Sequence, residues 1–502
     1  MLKKQKNKLY LAIFLFVFAG IFFRLSNLSL TPYWMDEGYT VNAVDSELRN
    51  GTENFAAKLD SGEKYFCPLY CAPTSWIVAA TSQDPAAYRI LSVFFGLIFI
   101  PLVYFFTQKF LKNTGVSVLT TFFTTFSYWQ IAWSRQARWY TELEFFFWAA
   151  LFLFYLFVQA TKNKEKYIYF AASIVVTLLA IVTHRIAYML PIVMLIWYAI
   201  EKKPTKKQIA IASAVSVGVL LIAEFGLGLH FVSHALKNVS LHYTLPYYLN
   251  FYLRNYWMFM LLGLYGYFNV PKEIQKKIWM LATPFIVYLF FLSFFTDIVH
   301  YRYLFHTTVA MYIIGSIGII DTLAKIANKQ KRFWIVFVLF GIFFATGHGV
   351  ATQKDFYLLE ADDPSVMNRP YYAYTPQPNF NAAYAAIKAD KKPDDIVISS
   401  HPHFNKIFLN TAGYWLKYNY LGMEDTNKTI TNNKEYYVGA SVVNNLDELK
   451  NIAASHHGYI LYDYMAMDGK IPTEMIQYIQ SNFTQFFFDE KNSYSKIWVY
   501  KF

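Results

Sequence analysis

Cysteine is almost missing from this 502-residue chain, which holds only Cys67 and Cys71. No Cys/His spacing of the kind that builds a metal site is present. The two thiols are either a local disulfide, in an oxidising compartment, or two free side chains. A glycine-rich loop able to cradle phosphates is also lacking, so no nucleotide is expected as a substrate. Internal repeats and low-complexity segments are absent, which excludes solenoid and tandem-array folds. Acidic residues are few, 33 against 45 Lys and Arg, for a net charge of +12. Such a balance can signal nucleic acid, but here its distribution excludes that reading.

What the chain has in excess is apolar surface. It is 56% hydrophobic and 20% aromatic, with a mean hydropathy of +0.25. Apolar runs of about 18 residues or more, each able to cross a hydrocarbon core, recur. They fall near 9–30, 87–107, 115–133, 141–161, 167–184, 186–200, 208–229, 251–270, 278–297, 304–323 and 333–351. About eleven transmembrane helices are predicted. The first run is too long for a signal-peptide core and lacks a small-residue cleavage site, so it reads as an uncleaved span.

Alternate connectors are basic: 1–8, 109–113, 162–166, 201–207, 272–277 and 325–332 carry four, two, three, four, three and four Lys and Arg. These 20 cations face only Glu165, Glu201 and Glu273. With eleven spans all six connectors lie on one side, the positive-inside pattern, which places the N-terminus in the cytoplasm. Attraction to anionic lipid accounts for these lysines.

The opposite face carries a long first loop, about 31–86, and a tail beginning near 353 in which long apolar runs stop. The division is therefore a transmembrane domain over 1–352 and a soluble extracytoplasmic domain over 353–502. In the tail, helices are predicted over 381–390, 446–455 and 472–482, and strands over 395–400, 459–464, 484–489 and 495–501. That alternation suggests a small α/β layer. His401, His403, His456 and His457 read as surface residues of this tail. The sequons at Asn427 and Asn482 are common by chance and carry no weight.

Candidate chemistry lies on the outer face. Trp34-Met35-Asp36-Glu37-Gly38-Tyr39 follows the first span. Adjacent carboxylates at a water boundary can do acid/base work, and an Asp beside apolar surface can accept a proton from a hydroxyl. The plainer reading is a helix cap and a solvated Glu. Between the third and fourth runs lies Ser134-Arg135-Gln136-Ala137-Arg138-Trp139-Tyr140-Thr141-Glu142-Leu143-Glu144. If it is helical, Arg135, Arg138 and Glu142 share a face and Glu144 points elsewhere. Arginine suits phosphate because its planar fork binds two oxygens at once; the alternative is an Arg138–Glu142 ion pair. Thr183-His184-Arg185 and His300-Tyr301-Arg302-Tyr303 add cations at the same boundary, where lone arginines commonly reach for headgroups. Arg24, Arg89, Lys237 and Arg254 are weaker candidates.

The Trp34-to-Tyr39 stretch resembles the outer-loop acidic motif of the GT-C membrane glycosyltransferases, the group of protein O-mannosyltransferases and lipid A aminoarabinose transferases (glycosyltransferase family 39-like). Arg135 to Tyr140 resembles their Arg-x-x-Arg-x-Tyr segment, and Thr183-His184 and Arg302-Tyr303 resemble two further short motifs. The likeness covers roughly 9–351; the tail matches in position only. It implies a mainly α polytopic membrane protein, GT-C-like, with a C-terminal extracytoplasmic α/β domain. It also implies a polyprenyl-phosphate sugar donor, Asp36 as base, and Glu37 orienting the acceptor or assisting. Donor phosphate would be held by Arg135, Arg138, Arg302 and Arg185. Tyr39, Tyr140, Glu142, Glu144, His184 and Tyr303 are further substrate-binding candidates. Some relatives carry an Asp after the second motif where this chain offers Glu142 or Glu144.

The expected activity is inverting sugar transfer to an acceptor hydroxyl at the outer face of a bacterial plasma membrane, the bacterial setting being expected because no eukaryotic retention signal ends the chain. The acceptor class (glycolipid, protein or polysaccharide) is left open, as is a divalent metal; no other cofactor is expected. One rival is a transporter or lipid flippase, which would need ionisable residues deep in its spans; Glu224 in the seventh run keeps it in view. The other is a nonenzymatic surface receptor that binds through its tail.

Overall fold

A computed structural model describes residues 2–30, 32–53, 55–227, 229, 244–295, 301–346, 349, 378–418, 430–431, 433–467, 471–490 and 496–502. His300, Lys237 and the Asn427 sequon lie outside the described residues, and so does the Arg254 side chain. The chain forms two compact units, Met1–Ser26 with Ser92–Phe356, and Asn27–Leu91 with Tyr357–Phe502. The first outer loop thus packs with the tail.

In chain order the first helices are α1 (Leu2–Leu25), α2 (Met35–Asn50), α3 (Pro68–Ala80), α4 (Pro85–Leu111), α5 (Thr114–Phe126), α6 (Tyr128–Ser134) and α7 (Tyr140–Gln159). There follow α8 (Asn163–Thr183), α9 (Leu190–Lys202), α10 (Lys206–Leu221), α11 (Leu245–Asn269), α12 (Lys272–Phe295), α13 (Thr308–Lys325) and α14 (Lys329–Ala345). Each of the eleven apolar runs is mainly helical over its described residues. Among the described residues six such segments are long and apolar enough to cross a membrane: Pro85–Leu111, Tyr140–Gln159, Asn163–Thr183, Lys206–Gly226, Lys272–Phe295 and Tyr301–Lys325. The 115–133 run is broken at Ser127, which is extended (φ −60°, ψ 126°) and caps α6 by accepting from Gln130 N. The 186–200 run opens with a 3-10 turn, Arg185–Met189.

Helix starts follow local chemistry. Asn113 accepts from Val116 N at 3.1 Å, and Asn328 accepts from Gln330 and Lys331 N at 2.8 and 3.1 Å. Each satisfies donors that an α-helix leaves orphaned at its first turn. Glycines let α11 and α13 touch backbone to backbone: a Cβ on Gly266 would fall 2.7 Å from Gly318 Cα. Small residues at a helix crossing are what apolar surroundings favour, where close packing must do the work of association.

The second unit holds α2 and α3, a small sheet β1 (Thr52–Glu53), β2 (Ala56–Lys58), β3 (Lys64–Tyr65), and the tail. Cys67 and Cys71 are disulfide-bonded at the start of α3, which settles the choice left open above. The tail contains α15 (Phe380–Asp390), β4 (Ile396–Ser399), α16 (Pro402–Leu409), β5 (Tyr414–Leu416), β6 (Ile430–Thr431), β7 (Lys434–Glu435) and β8 (Ser441–Val443). After these come α17 (Leu446–Ser455), β9 (Gly458–Asp463), α18 (Tyr464–Met467), α19 (Thr473–Asn482), β10 (Thr484–Asp489) and β11 (Ile497–Lys501). The sheet runs β10-β11-β9-β4-β5-β8-β7-β6, with β9, β4, β5 and β8 parallel at its centre and antiparallel edges. Ile398, Leu416, Val443, Ile460, Met475 and Ile479 lie in its core. All seven predicted tail elements are present. α16, α18 and the short strands β5 to β8 are additional.

Candidate active site

In the first unit, three connectors bring cations together. The turn after α6 is not helical, so Arg135, Arg138 and Glu142 do not share a helix face. Ser92 of α4 holds that turn instead: its Oγ donates to Arg138 O at 2.8 Å, and Thr141 Oγ1 donates to Ser92 O at 3.0 Å. The Arg138 guanidinium stacks on Trp139, 4.1 Å from the ring centroid, and lies 5.9 Å from that of Tyr140. His184 ends α8. Its ring lies 6.5 Å from Trp139, 5.8 Å from Tyr140 and 5.5 Å from Tyr303. Burial holds the His184 pKa well below its usual range, and so do the charges of Arg185, Arg138 and Arg302 and the neighbouring His306. Its Nδ1 accepts from Ile186 N at 3.2 Å, so the proton of the neutral ring sits on Nε2. Arg302 lies over Tyr303, 5.6 Å from its centroid. Arg138, Arg185, Arg302, His184, Tyr140 and Tyr303 therefore gather at one place.

Three other candidates do different things. Nη1 of Arg135 donates to the carbonyls of Phe23, Arg24 and Ser26 at 3.3, 3.1 and 2.8 Å. It satisfies the orphaned carbonyls that end α1. Glu142 is buried in α7 against the Thr183 hydroxyl, and no ion pair with Arg138 forms. Glu144 is fully buried and accepts from Gln130 Nε2 at 2.7 Å, with the charge of Arg24 nearby. Glu224, the residue that favoured a transporter, sits in the closing turn Ile222–Gly226 and accepts from Tyr188 Oη at 3.2 Å. It lies at the end of its span and not near the middle.

In the second unit the adjacent carboxylates part company. Arg89 Nε and Nη2 donate to the two oxygens of Glu37 at 2.8 and 2.9 Å, and both side chains are buried. Trp34 N also donates to Glu37, at 3.3 Å. Arg89 Nη1 reaches Leu28 O at 2.7 Å, so the pair ties the entry of α2 to the preceding turn. Glu37 thus anchors the start of α2, and its partner is Arg89, one of the weaker candidates. Asp36 is buried, 9% exposed, and its charge bears on the hydroxyls of Tyr39, Tyr418 and Tyr437. Tyr39 stacks on Tyr437 at 4.0 Å and meets His403 at 4.4 Å.

The tail residues around α2 were missed. His401 and His403 are 2% and 1% exposed, a correction to their reading as surface residues; His456 and His457 are exposed as expected. His401 Nε2 pairs with Asp463 Oδ1 at 3.1 Å, leaving Nδ1 to accept from Tyr418 Oη at 3.4 Å. His403 O accepts from Asn42 Nδ2 at 2.9 Å, and its ring lies on Gly38. A Cβ at Gly38 would overlap the His403 ring, 2.8 Å from Nε2. Burial keeps the His403 pKa well below its usual range. The available signal was Phe404 and Phe408 at i and i+4 after the histidines, an apolar stripe that draws α16 inward. No three His, Cys, Asp or Glu side chains converge to hold a metal among the described residues. Nor is the Asp36-Glu37 pair disposed to share a cation, because Arg89 occupies Glu37.

No protein-family model matches the chain, and no curated protein matches it in sequence. Solved structures do match its fold. ArnT from Cupriavidus metallidurans bound to undecaprenyl phosphate has a TM-score of 0.61 at 12% identity, over 100% of this chain and 98% of that one. AglB, the archaeal oligosaccharyltransferase of Archaeoglobus fulgidus, in complex with an inhibitory peptide and a dolichol-phosphate, has a TM-score of 0.52 at 11% identity, over 92% and 70%. An A. fulgidus oligosaccharyltransferase with Zn and sulfate scores 0.50 at 12% identity, over 90% and 68%. The fold is GT-C-like, the one the sequence resemblance implied.

Proposed function

We propose that the chain transfers a sugar from a polyprenyl-phosphate donor to an acceptor hydroxyl at the outer face of the cytoplasmic membrane. The observation that carries this reading is the gathering of Arg138, Arg185 and Arg302, from three separate connectors, around His184. Guanidinium groups fixed in advance suit the charge that grows on a leaving phosphate, commonly the largest catalytic term. The fold of a transferase seen with undecaprenyl phosphate supports the same donor class. The basic inner connectors support a cytoplasmic N-terminus.

In this mechanism Asp36 takes the acceptor proton as the hydroxyl oxygen bonds to the anomeric carbon. The bond from that carbon to the phosphate oxygen breaks from the opposite side, with inversion. Arg138, Arg185 and Arg302 receive the phosphate, and Tyr303 and Tyr140 flank it. Arg135 contributes by holding α1. A divalent cation, if one takes part, would need holders other than Glu37.

The test uses purified protein with a panel of radiolabelled polyprenyl-phosphate sugars. Label should move to a hydroxyl acceptor from one of them. Asp36→Asn should abolish transfer and keep donor binding. Arg138→Ala should weaken donor binding tenfold or more, since a charge-assisted hydrogen bond is worth about 1.5–3 kcal/mol. Full transfer by Asp36→Asn, or unchanged affinity in Arg138→Ala, sinks the respective assignment.

A further inference from the structure

Along α8 from Phe170 to Thr177, the helices α7, α8, α9 and α10 line a cavity of about 230 Å³, which reaches Phe157 and Gln208 near the N-terminal end of α8. Phe157, Phe170, Met194 and Val219 belong to its apolar wall, and Ser173 and Gln208 are among its few polar members. Two connectors close this end of the four helices, one between α7 and α8 and one between α9 and α10. Gln159 Nε2 donates to Glu201 Oε1 at 2.8 Å, so the ends of α7 and α9 lie level.

The rim of the cavity is cationic. Lys162 pairs with Glu165 at 3.3 Å, and Glu201 pairs with Lys276 at 2.9 Å. Those pairs use both acids of the two connectors. Lys164, Lys166, Lys202, Lys203, Lys206 and Lys207 are exposed and have no acidic partner among the described residues. Lys166 Nζ lies 5.8 Å from the centroid of Phe157, a wall residue, so rim and cavity are continuous.

We infer that this cavity and rim form a binding site for an anionic phospholipid, with an acyl chain in the cavity and the headgroup phosphate among the lysines. An apolar cavity alone would accept any chain. Six uncompensated ammonium groups at its mouth select a negative headgroup, and each contributes about fivefold in affinity near a lipid surface. The segments Asn163–Thr183 and Lys206–Gly226, which carry much of its lining, bury only 22% and 17% of their apolar windows within the protein, so their outer faces are left for lipid. The sugar donor is a different ligand. The His184 cluster follows the C-terminal end of α8, whereas Lys164 and Lys166 lie in its first turn, and the 21 residues of the helix span about 30 Å.

Native mass spectrometry of the delipidated full-length protein tests this, with phosphatidylglycerol and phosphatidylcholine of identical acyl chains. Phosphatidylglycerol should be retained at least tenfold better. The exposed-site variant Lys164→Gln/Lys166→Gln/Lys206→Gln/Lys207→Gln should bring it down to the phosphatidylcholine level without disturbing the fold. Ser173→Phe, which fills the cavity, should lower retention of both lipids. Equal retention of the two lipids, or a preference that survives the lysine changes, overturns the site. Displacement of phosphatidylglycerol by polyprenyl phosphate, unaffected by Arg138→Ala, also overturns it by assigning the cavity to the donor's tail.

Discussion

Asp36 and Glu37 are neighbours in sequence and opposites in environment. Glu37 lies flat against a buried guanidinium; Asp36 lies near the hydroxyls of Tyr39, Tyr418 and Tyr437. Glu37→Gln would leave Arg89 charged and buried without its counter-ion, a loss of about 3–5 kcal/mol. It should cut the yield of folded protein and lower the detergent-solubilised melting temperature. Asp36→Asn should do neither. Equal melting temperatures for the two variants would contradict the buried pairing.

Glu435 offers a second test at this scale. Burial pushes its pKa from 4.5 up to about 7, against the backbone N–H groups of Val438, Tyr437 and Gly439, which pull it down. The folded state therefore binds this proton more tightly than the unfolded chain. Its contribution is most favourable below pH 4.5, declines as pH rises through about 7, and then levels. The decline is about 1.4 kcal/mol per pH unit, roughly 3 kcal/mol in all. Glu435→Gln keeps the shape and removes the titration. The difference in stability between wild type and variant, followed by denaturant unfolding from pH 4 to 8, should carry that slope. His403 works in the opposite sense, losing stability as pH falls below 6.5, and cancels because both proteins contain it.

At the scale of elements, the first turn of α2 rests on α16. Gly38 is what allows the contact, so Gly38→Ala should clash with the His403 ring and displace Asp36. Transfer should fall at least tenfold in kcat with little change in donor KM. Removing the ring in Gly38→Ala/His403→Ala should restore part of it; a double variant worse than either single one would show that the two do not touch. This contact was not legible in the sequence, and the reason is physical. Apolar runs announce helices because each must bury or face lipid over its whole length. The longer tail elements showed themselves through turns and alternation, with Asn379 and Asn445 capping two of the helices. Strands of two or three residues, such as β7, are too short for a period to register. Arg138, Arg185 and Arg302 were legible as charge outside the basic connectors, and they do gather. The structural bonds of Arg135 and Glu37 were not legible, because a buried structural partner looks, in sequence, the same as a ligand-binding one.

For the whole molecule, the association of residues 27–91 with the tail changes what the tail is for. A separable acceptor-binding module could be removed with the base left in place. Here the tail supplies His403 beneath Gly38, Asn42's acceptor, Tyr437 against Tyr39, and Tyr418, whose hydroxyl lies 3.6 Å from Met35 Sδ. A chain ending at residue 356 would expose that face of α2 to water. The lost packing of Tyr39 alone, an aromatic side chain set between two rings, is worth about 1 kcal/mol beyond its burial. Glu37 and Arg89 would still anchor the helix entry, because both lie in 27–91. The truncated protein should therefore insert in membranes and bind polyprenyl phosphate through the His184 cluster. It should nevertheless fail to transfer sugar even to a small hydroxyl acceptor that needs no recognition. Hydrogen exchange should report lost protection over residues 36–44 and retained protection in α8 and α13. If the truncated chain transfers sugar to small acceptors at the full rate, the tail does not seat Asp36 and serves recognition alone.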